Sequence, residues 1–172
     1  MTNPVYDKLR NCYDSIKDKI PFEPKVALVL GSGLGDYAEQ LEIRGTIDYH
    51  DIEGFPVSTV PGHKGRFVFA RINEVPAVRM HYYEGYPMSD VVLPVRLMKL
   101  MGAQILFLTN AAGGVNYDYG AGDFMLIKDQ ISCFVPSPLV GPNLEELGPR
   151  FPDMSHIYDE DLRDIIRSTA LE

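Results

Sequence analysis

The run Val26–Leu30, VALVL, is continuously apolar and opens directly into Gly31-Ser32-Gly33-Leu34-Gly35. A short unbroken apolar run reads as a strand buried on both faces, as the central strands of parallel sheets are. A glycine-rich turn at the carboxyl end of such a strand is where α/β sheets place their ligands. Glycines let backbone N–H groups converge on an anion, and Ser32 adds a hydroxyl donor. The plainer alternative is a tight turn from strand to helix. The dinucleotide fingerprint needs glycine where this chain has Asp36, and no GKS or GKT is present to make a P-loop.

Around this strand the pattern alternates. Leu9, Cys12, Ile16 and Ile20 recur at helical spacing over residues 5–20, with Pro21 and Pro24 ending the helix. Residues 66–72 and 75–83 read as strands, with Asn73 and Glu74 as a turn between them. Residues 89–101 read as a helix capped by Ser89 or Asp90, with Pro94 inside it either delaying its start or kinking it. Gln104–Leu108 is a second buried strand ending in TNAAGG, and 123–131 is a further strand candidate. The proline-rich stretch 135–153 reads as a long irregular loop, the kind that is usually functional or disordered. Another helix begins near 158. Buried strands alternating with helices make an α/β fold, and 172 residues suit one domain, 1–172.

The net charge of −8 argues against nucleic acid or an anionic membrane as partner, since both call for a basic surface. It leaves room for a small anion held by a few placed donors. Cys12 and Cys133 form no CxxC pair and read as reduced thiols of a cytoplasmic protein. The four histidines and two cysteines show no metal-ligand spacing, so no metal is expected. The N-terminus has no apolar leader, and no apolar run reaches membrane-spanning length.

Three further segments carry candidate chemistry. In Arg79-Met80-His81-Tyr82-Tyr83-Glu84, strand alternation puts Arg79, His81 and Tyr83 on one face, with neighbours about 6.6 Å apart. Arginine offers a planar fork matched to phosphate oxygens, histidine adds a donor that adjusts near neutral pH, and Glu84 is placed to orient the histidine. A solvated polar face is the competing explanation. Thr109-Asn110-Ala111-Ala112-Gly113-Gly114 lets the backbone approach a ligand closely, or is a plain packed turn. Pro61-Gly62-His63-Lys64-Gly65 is either a loop that reaches a site or an exposed hairpin tip. His50 and His156 stand alone.

Taken together, VLGSGLGDYAE, GFPVSTVPGHKGRFVFA, RMHYYEGYPMSDVVLPVRLMKLMGAQILFLTNAAGG, GDFMLIKDQI and LVGPNLEELGPRFPDMSHIYDEDLR resemble, in order, the trimeric purine nucleoside phosphorylase family. Methylthioadenosine phosphorylases share the scaffold; EGYP and TNAAGG look like the purine nucleoside branch. The resemblance implies a mixed central sheet flanked by helices. It implies that Ser32 and Gly33 hold phosphate, that Arg79, His81 and the backbone at Ala111 complete the cage, and that His63 lies on a flexible loop beside it. Catalytic roles fall to His81 and His63. Tyr83 contacts the ribose, Glu84 and Asn110 line the site, and Phe151 is lent to the ribose pocket of a neighbouring subunit in a homotrimer. The implied reaction uses inorganic phosphate as co-substrate and needs no metal or organic cofactor.

Family members continue beyond the segment matched here, and the groups that bind the purine belong to that continuation. The resemblance therefore implies a C-terminally truncated phosphorylase that binds phosphate weakly and turns over little nucleoside by itself. The alternative is an inactive fragment that kept the fold for oligomerisation or phosphate binding. A dinucleotide-dependent oxidoreductase would rest on Gly31–Gly35 alone and already fails at Asp36.

Overall fold

A computed structural model of the chain describes residues 3–31, 33–58, 65–70, 74–78 and 81–171, with the backbone alone for 74–78. The chain packs as two compact units, 1–111 and 112–172.

The first unit holds the sheet. Helix α1, Pro4–Ile16, starts where the Asn3 side chain accepts the Val5 N–H at 3.0 Å, with Pro4 opening the first turn. Its stripe of Leu9, Cys12 and Ile16 is buried, and a short 3₁₀ turn, Lys17–Lys19, carries the chain out. Strands β1 (Val26–Leu30), β2 (Ile43–Asp48), β3 (Arg66–Ala70), β4 (Glu74–Val78) and β5 (Ile105–Leu108) form one sheet in the order β2-β3-β4-β1-β5. β1 lies between β4 and β5 and runs parallel to both, whereas β3 pairs antiparallel with β2 and β4. The sheet is thus mixed, and the apolar run that reads as a central parallel strand is one.

Helices α2 (Met88–Val91) and α3 (Leu93–Leu100) replace one continuous helix. Pro94 sits in the first turn of α3, where its missing N–H costs nothing, so the break falls just before it. Ser89 and Asp90 lie inside α2 instead of capping it; Pro87 precedes the helix, and the Asp90 carboxylate is taken by Lys8 Nζ of α1 at 2.7 Å. α1 packs on α3. Among the described residues the core is apolar: Leu28, Ile47, Phe67, Phe69, Leu93, Leu97 and Met98 are all buried. Tyr49, fully buried, packs against Phe55 tilted and against Phe67 edge-on, at 4.8 and 4.9 Å between ring centroids.

Two further readings are corrected. The polar stretch after β4 is not strand as far as Tyr83. Residues 79–80 lie outside the described residues, and Tyr82–Glu84 form a 3₁₀ turn closed by Gly85 at φ +89°. Strand β2, whose alternation is weak around Gly45, carries no strong signal in the sequence; it forms because β3 offers it an antiparallel partner. The expected turn residue Asn73 lies outside the described residues.

The second unit is largely irregular, with a 3₁₀ turn at Glu145–Leu147 and one helix, α4, Glu160–Thr169, N-capped by Asp159 Oδ1 accepting from Leu162 N–H at 2.9 Å. The segment 123–131 is not a strand. Phe124 and Ile131 are over nine-tenths exposed, so the segment has neither a covered apolar face nor a ladder partner among the described residues, and a strand needs both.

Candidate functional site

The parallel register brings three chain segments to one end of the sheet. Leu30 pairs with Val78 and Val29 with Leu108, so β1, β4 and β5 finish level with one another. From there the chain runs on into the glycine turn, into the segment that leads to His81, and into Thr109–Ala111.

Thr109 binds the first and third of these together. Its hydroxyl donates to the Val29 carbonyl at 3.0 Å and accepts the Gly31 N–H at 2.8 Å, while its own N–H donates to the same carbonyl. A donor-and-acceptor hydroxyl is what this position requires. Gly33 follows at φ +87°, a backbone conformation that glycine adopts without strain, and the space where a Cβ would stand is open. Leu34 N–H returns to the Gly31 carbonyl at 3.1 Å, which closes the turn. Asn110 Nδ2 donates to the Ala111 carbonyl at 3.2 Å, and both residues are exposed at the rim. No described residue accepts the Ala111 N–H.

His81 heads the 3₁₀ turn that follows β4. The Glu84 carboxylate takes the His81 main-chain N–H at 2.9 Å and its ring Nδ1 at 3.0 Å. Glu84 is almost completely buried, at 2% side-chain exposure, and His81 is at 17%. A buried carboxylate is tolerated only when donors surround it; Ser58 Oγ supplies another, at 3.1 and 3.3 Å from the two carboxylate oxygens. The ring of Tyr83 stacks on the imidazole, 4.6 Å between centroids and 18° from parallel, leaving its other side exposed. The contact with Glu84 fixes which ring nitrogen faces the carboxylate, Nδ1, and so sets the direction of the imidazole. Carboxylate on one nitrogen and substrate on the other is how proteins fix a histidine's tautomer and direction.

Of the residues singled out by sequence, Gly33, His81, Tyr83, Glu84, Asn110 and Ala111 belong to the first unit and cluster after the ends of β1, β4 and β5. Ser32, His63 and Arg79 lie outside the described residues. Phe151 belongs to the second unit, is 86% exposed and has the Arg150 guanidinium 6.0 Å above its ring. The sequence gives no individual signal for Ser58, or for Tyr86, whose hydroxyl donates to the Val57 carbonyl at 2.6 Å. Their role lies in long-range contacts that no local spacing encodes. Away from this site, Asp48, His50 and Asp51 bring ligand atoms within 4.8 Å of one another at the surface, where His50 Nε2 already faces Asp51 Oδ1 at 3.3 Å. Among the described residues no helix is long and apolar enough to cross a membrane.

The sequence pattern of the phosphorylase superfamily matches residues 25–172. Purine nucleoside phosphorylase 1 of Bacillus subtilis is 45% identical over 168 residues, covering 95% of this chain and 62% of its own length. The bovine purine nucleoside phosphorylase is 48% identical over 153 residues, covering 85% of this chain and 53% of the relative. Among solved structures, a purine nucleoside phosphorylase in complex with ribose-1-phosphate superimposes with a TM-score of 0.87 at 37% identity, covering 98% of this chain and 65% of that one. The Schistosoma mansoni enzyme in complex with inosine gives 0.85 at 37% identity, with 95% and 60% covered. The chain thus spans roughly three-fifths of the length of the Bacillus subtilis and Schistosoma mansoni proteins it matches.

Proposed function

This chain belongs to the phosphorylase superfamily, and from that premise we propose that it carries the phosphate half of a purine nucleoside phosphorylase, an enzyme that cleaves purine ribo- or deoxyribonucleosides with inorganic phosphate in purine salvage. The observation that carries this reading is the His81–Glu84 pair, held at the end of β4 level with the glycine turn of β1 and the Thr109–Ala111 turn of β5. Names and bound ligands of the similar proteins point the same way: relatives called purine nucleoside phosphorylase, and structures holding inosine or ribose-1-phosphate.

In this reading phosphate oxygens accept from the Ser32 hydroxyl, the Gly33 and Ala111 N–H groups, the Arg79 guanidinium and His81, with His63 beside them. Oriented donors of this kind hold charge without reorganising during reaction. As the bond between the anomeric carbon and the purine nitrogen lengthens, the sugar gains positive charge, which the phosphate stabilises from the opposite face. A phosphate oxygen then bonds to the anomeric carbon. The electron pair of the broken bond leaves with the purine, which takes up a proton, giving pentose 1-phosphate and free base. Holding phosphate and sugar in line removes much of the entropic barrier. Tyr83 packs on the ribose, Asn110 and Glu84 line the pocket, and Phe151 comes from a neighbouring subunit of a homotrimer. Phosphate is a co-substrate, and the reaction calls for no metal or organic cofactor. A cytoplasmic salvage enzyme fits the acidic composition and the free thiols Cys12 and Cys133.

A second reading is a phosphate-binding or oligomerising module without turnover; the chain matches 62% of the length of the Bacillus subtilis relative. Two assays separate the readings. Calorimetry with inorganic phosphate on this chain is expected to show weak binding, with little inosine cleavage. Fusing the remaining C-terminal part of the Bacillus subtilis relative to this chain is expected to restore cleavage of inosine; binding without cleavage in that fusion favours the module, and absence of phosphate binding in both overturns the phosphorylase reading.

A further inference from the structure

His81 and Glu84 sit three residues apart, so their mutual hydrogen bonds fix one against the other but do not fix the pair against the sheet. Residues 57–58 contribute to that second task. Phe55 and Pro56 are buried, and the Phe55 ring is wedged between Tyr49 and Phe67, 5.7 Å from the latter. The next two residues reach the turn at two points. The Val57 carbonyl accepts the Tyr86 hydroxyl at 2.6 Å, and Ser58 Oγ donates into the Glu84 carboxylate at 3.1 Å. The path from the aromatic core to the imidazole is short and continuous: Phe67 and Tyr49, Phe55, Ser58, Glu84, His81 Nδ1.

We propose that Ser58 and Tyr86 are positioning residues of the anion site, a two-point brace through which the core sets the direction of the His81 ring. This rests on the reading of His81 as a phosphate ligand. The chemistry asked of position 58 is a hydroxyl donor, since Glu84 is nearly excluded from solvent and every donor it loses leaves an acceptor to be filled by water or by rotation of the carboxylate. Rotation would take the Nδ1 contact with it. Position 86 needs a phenol reaching a main-chain carbonyl, and phenylalanine keeps the ring while removing only that tie.

The test uses this chain with Ser58→Ala, Ser58→Thr and Tyr86→Phe. Two quantities are read: the affinity for inorganic phosphate by calorimetry, and the ring N–H signal of His81 by nitrogen-15 NMR, assigned by its loss in His81→Gln. Ser58→Ala is expected to weaken phosphate binding about tenfold and to broaden or erase the His81 Nδ1–H signal through faster exchange with water. Ser58→Thr, which keeps the hydroxyl, is expected to restore both. A merely structural role would lower the melting temperature of Ser58→Ala without moving the imidazole signal. Wild-type affinity together with a wild-type His81 signal in Ser58→Ala overturns the proposal. Should neither the unsubstituted chain nor its fusion with the relative's C-terminal part bind phosphate, the phosphorylase reading fails, yet the imidazole signal still decides the brace. If Ser58→Ala does not fold, Tyr86→Phe carries the test alone: a disturbed His81 signal supports the brace, and an undisturbed one overturns it.

Discussion

One oxygen of the Glu84 carboxylate receives both the main-chain N–H and the ring Nδ1 of His81, at 2.9 and 3.0 Å. The same contact therefore shapes the turn and aims the imidazole. Replacing Glu84 with alanine removes both at once. The expected loss is about 1–3 kcal/mol of stability, the usual cost of stranding buried hydrogen-bonding groups, together with a drop in phosphate affinity. Urea unfolding and phosphate calorimetry on the same preparation check the two effects.

Thr109 is the joint between the β1 and β5 turns, donating to Val29 and accepting from Gly31. Thr109→Val keeps the shape but leaves the part-buried Gly31 N–H without its acceptor. A destabilisation of about 1–3 kcal/mol is expected, with faster hydrogen exchange at Gly31, whereas Thr109→Ser stays near wild type. Equal exchange in the Val and Ser variants would show that the hydroxyl does not hold the glycine turn.

Tyr83 lies flat on His81 with three-quarters of its surface open. Tyr83→Phe preserves the stack and is expected to bind phosphate as the unsubstituted chain does. Tyr83→Ala gives up an aromatic contact worth about 0.5–1.5 kcal/mol and is expected to weaken phosphate binding by up to about tenfold. Phosphate titrations of the two variants side by side distinguish stacking from the phenol.

The two cysteines should behave differently. Cys133 is exposed, whereas Cys12 is fully buried, its Sγ set against the Glu53 carbonyl at 3.3 Å, and burial raises its pKa above the ordinary 9.0. One thiol is expected to react rapidly with an alkylating reagent and the second only on unfolding. Because the folded pKa of Cys12 is raised, its contribution to stability is fully present below about pH 9 and is lost as the pH climbs through the folded value. Cys12→Ala should therefore lack part of the alkaline decline in melting temperature that the unsubstituted chain shows above pH 9.

Much of the scaffold is legible from residue order. Val26–Leu30 announces itself as a central parallel strand because an unbroken apolar run has no other comfortable place, and Pro94 announces the break between α2 and α3. The strand continued to Tyr83 in the sequence reading because alternation looks the same whether or not a ladder exists. Positions 81–84 instead form a 3₁₀ turn in which the Glu84 carboxylate accepts the His81 main-chain N–H, a contact that alternation does not encode. Segment 123–131 failed for a related reason: an apolar pattern makes a strand only when something covers it. Of the candidate site, the glycine turn and positions 81–84 stand out in the sequence by residue type. Ser58 and Tyr86 do not, because their partners stand 26 and 29 residues away in sequence.

The turns of the candidate site issue from three adjacent strands that finish level, so on the proposed phosphate reading the site has no assembly step separate from the sheet. Pulling β1 away from either neighbour dismantles ligand site and scaffold in one event. Phosphate should then act as a mortar for the whole first unit, raising its melting temperature in proportion to occupancy, and directed evolution of a tighter anion pocket would deliver a hardier protein as a by-product.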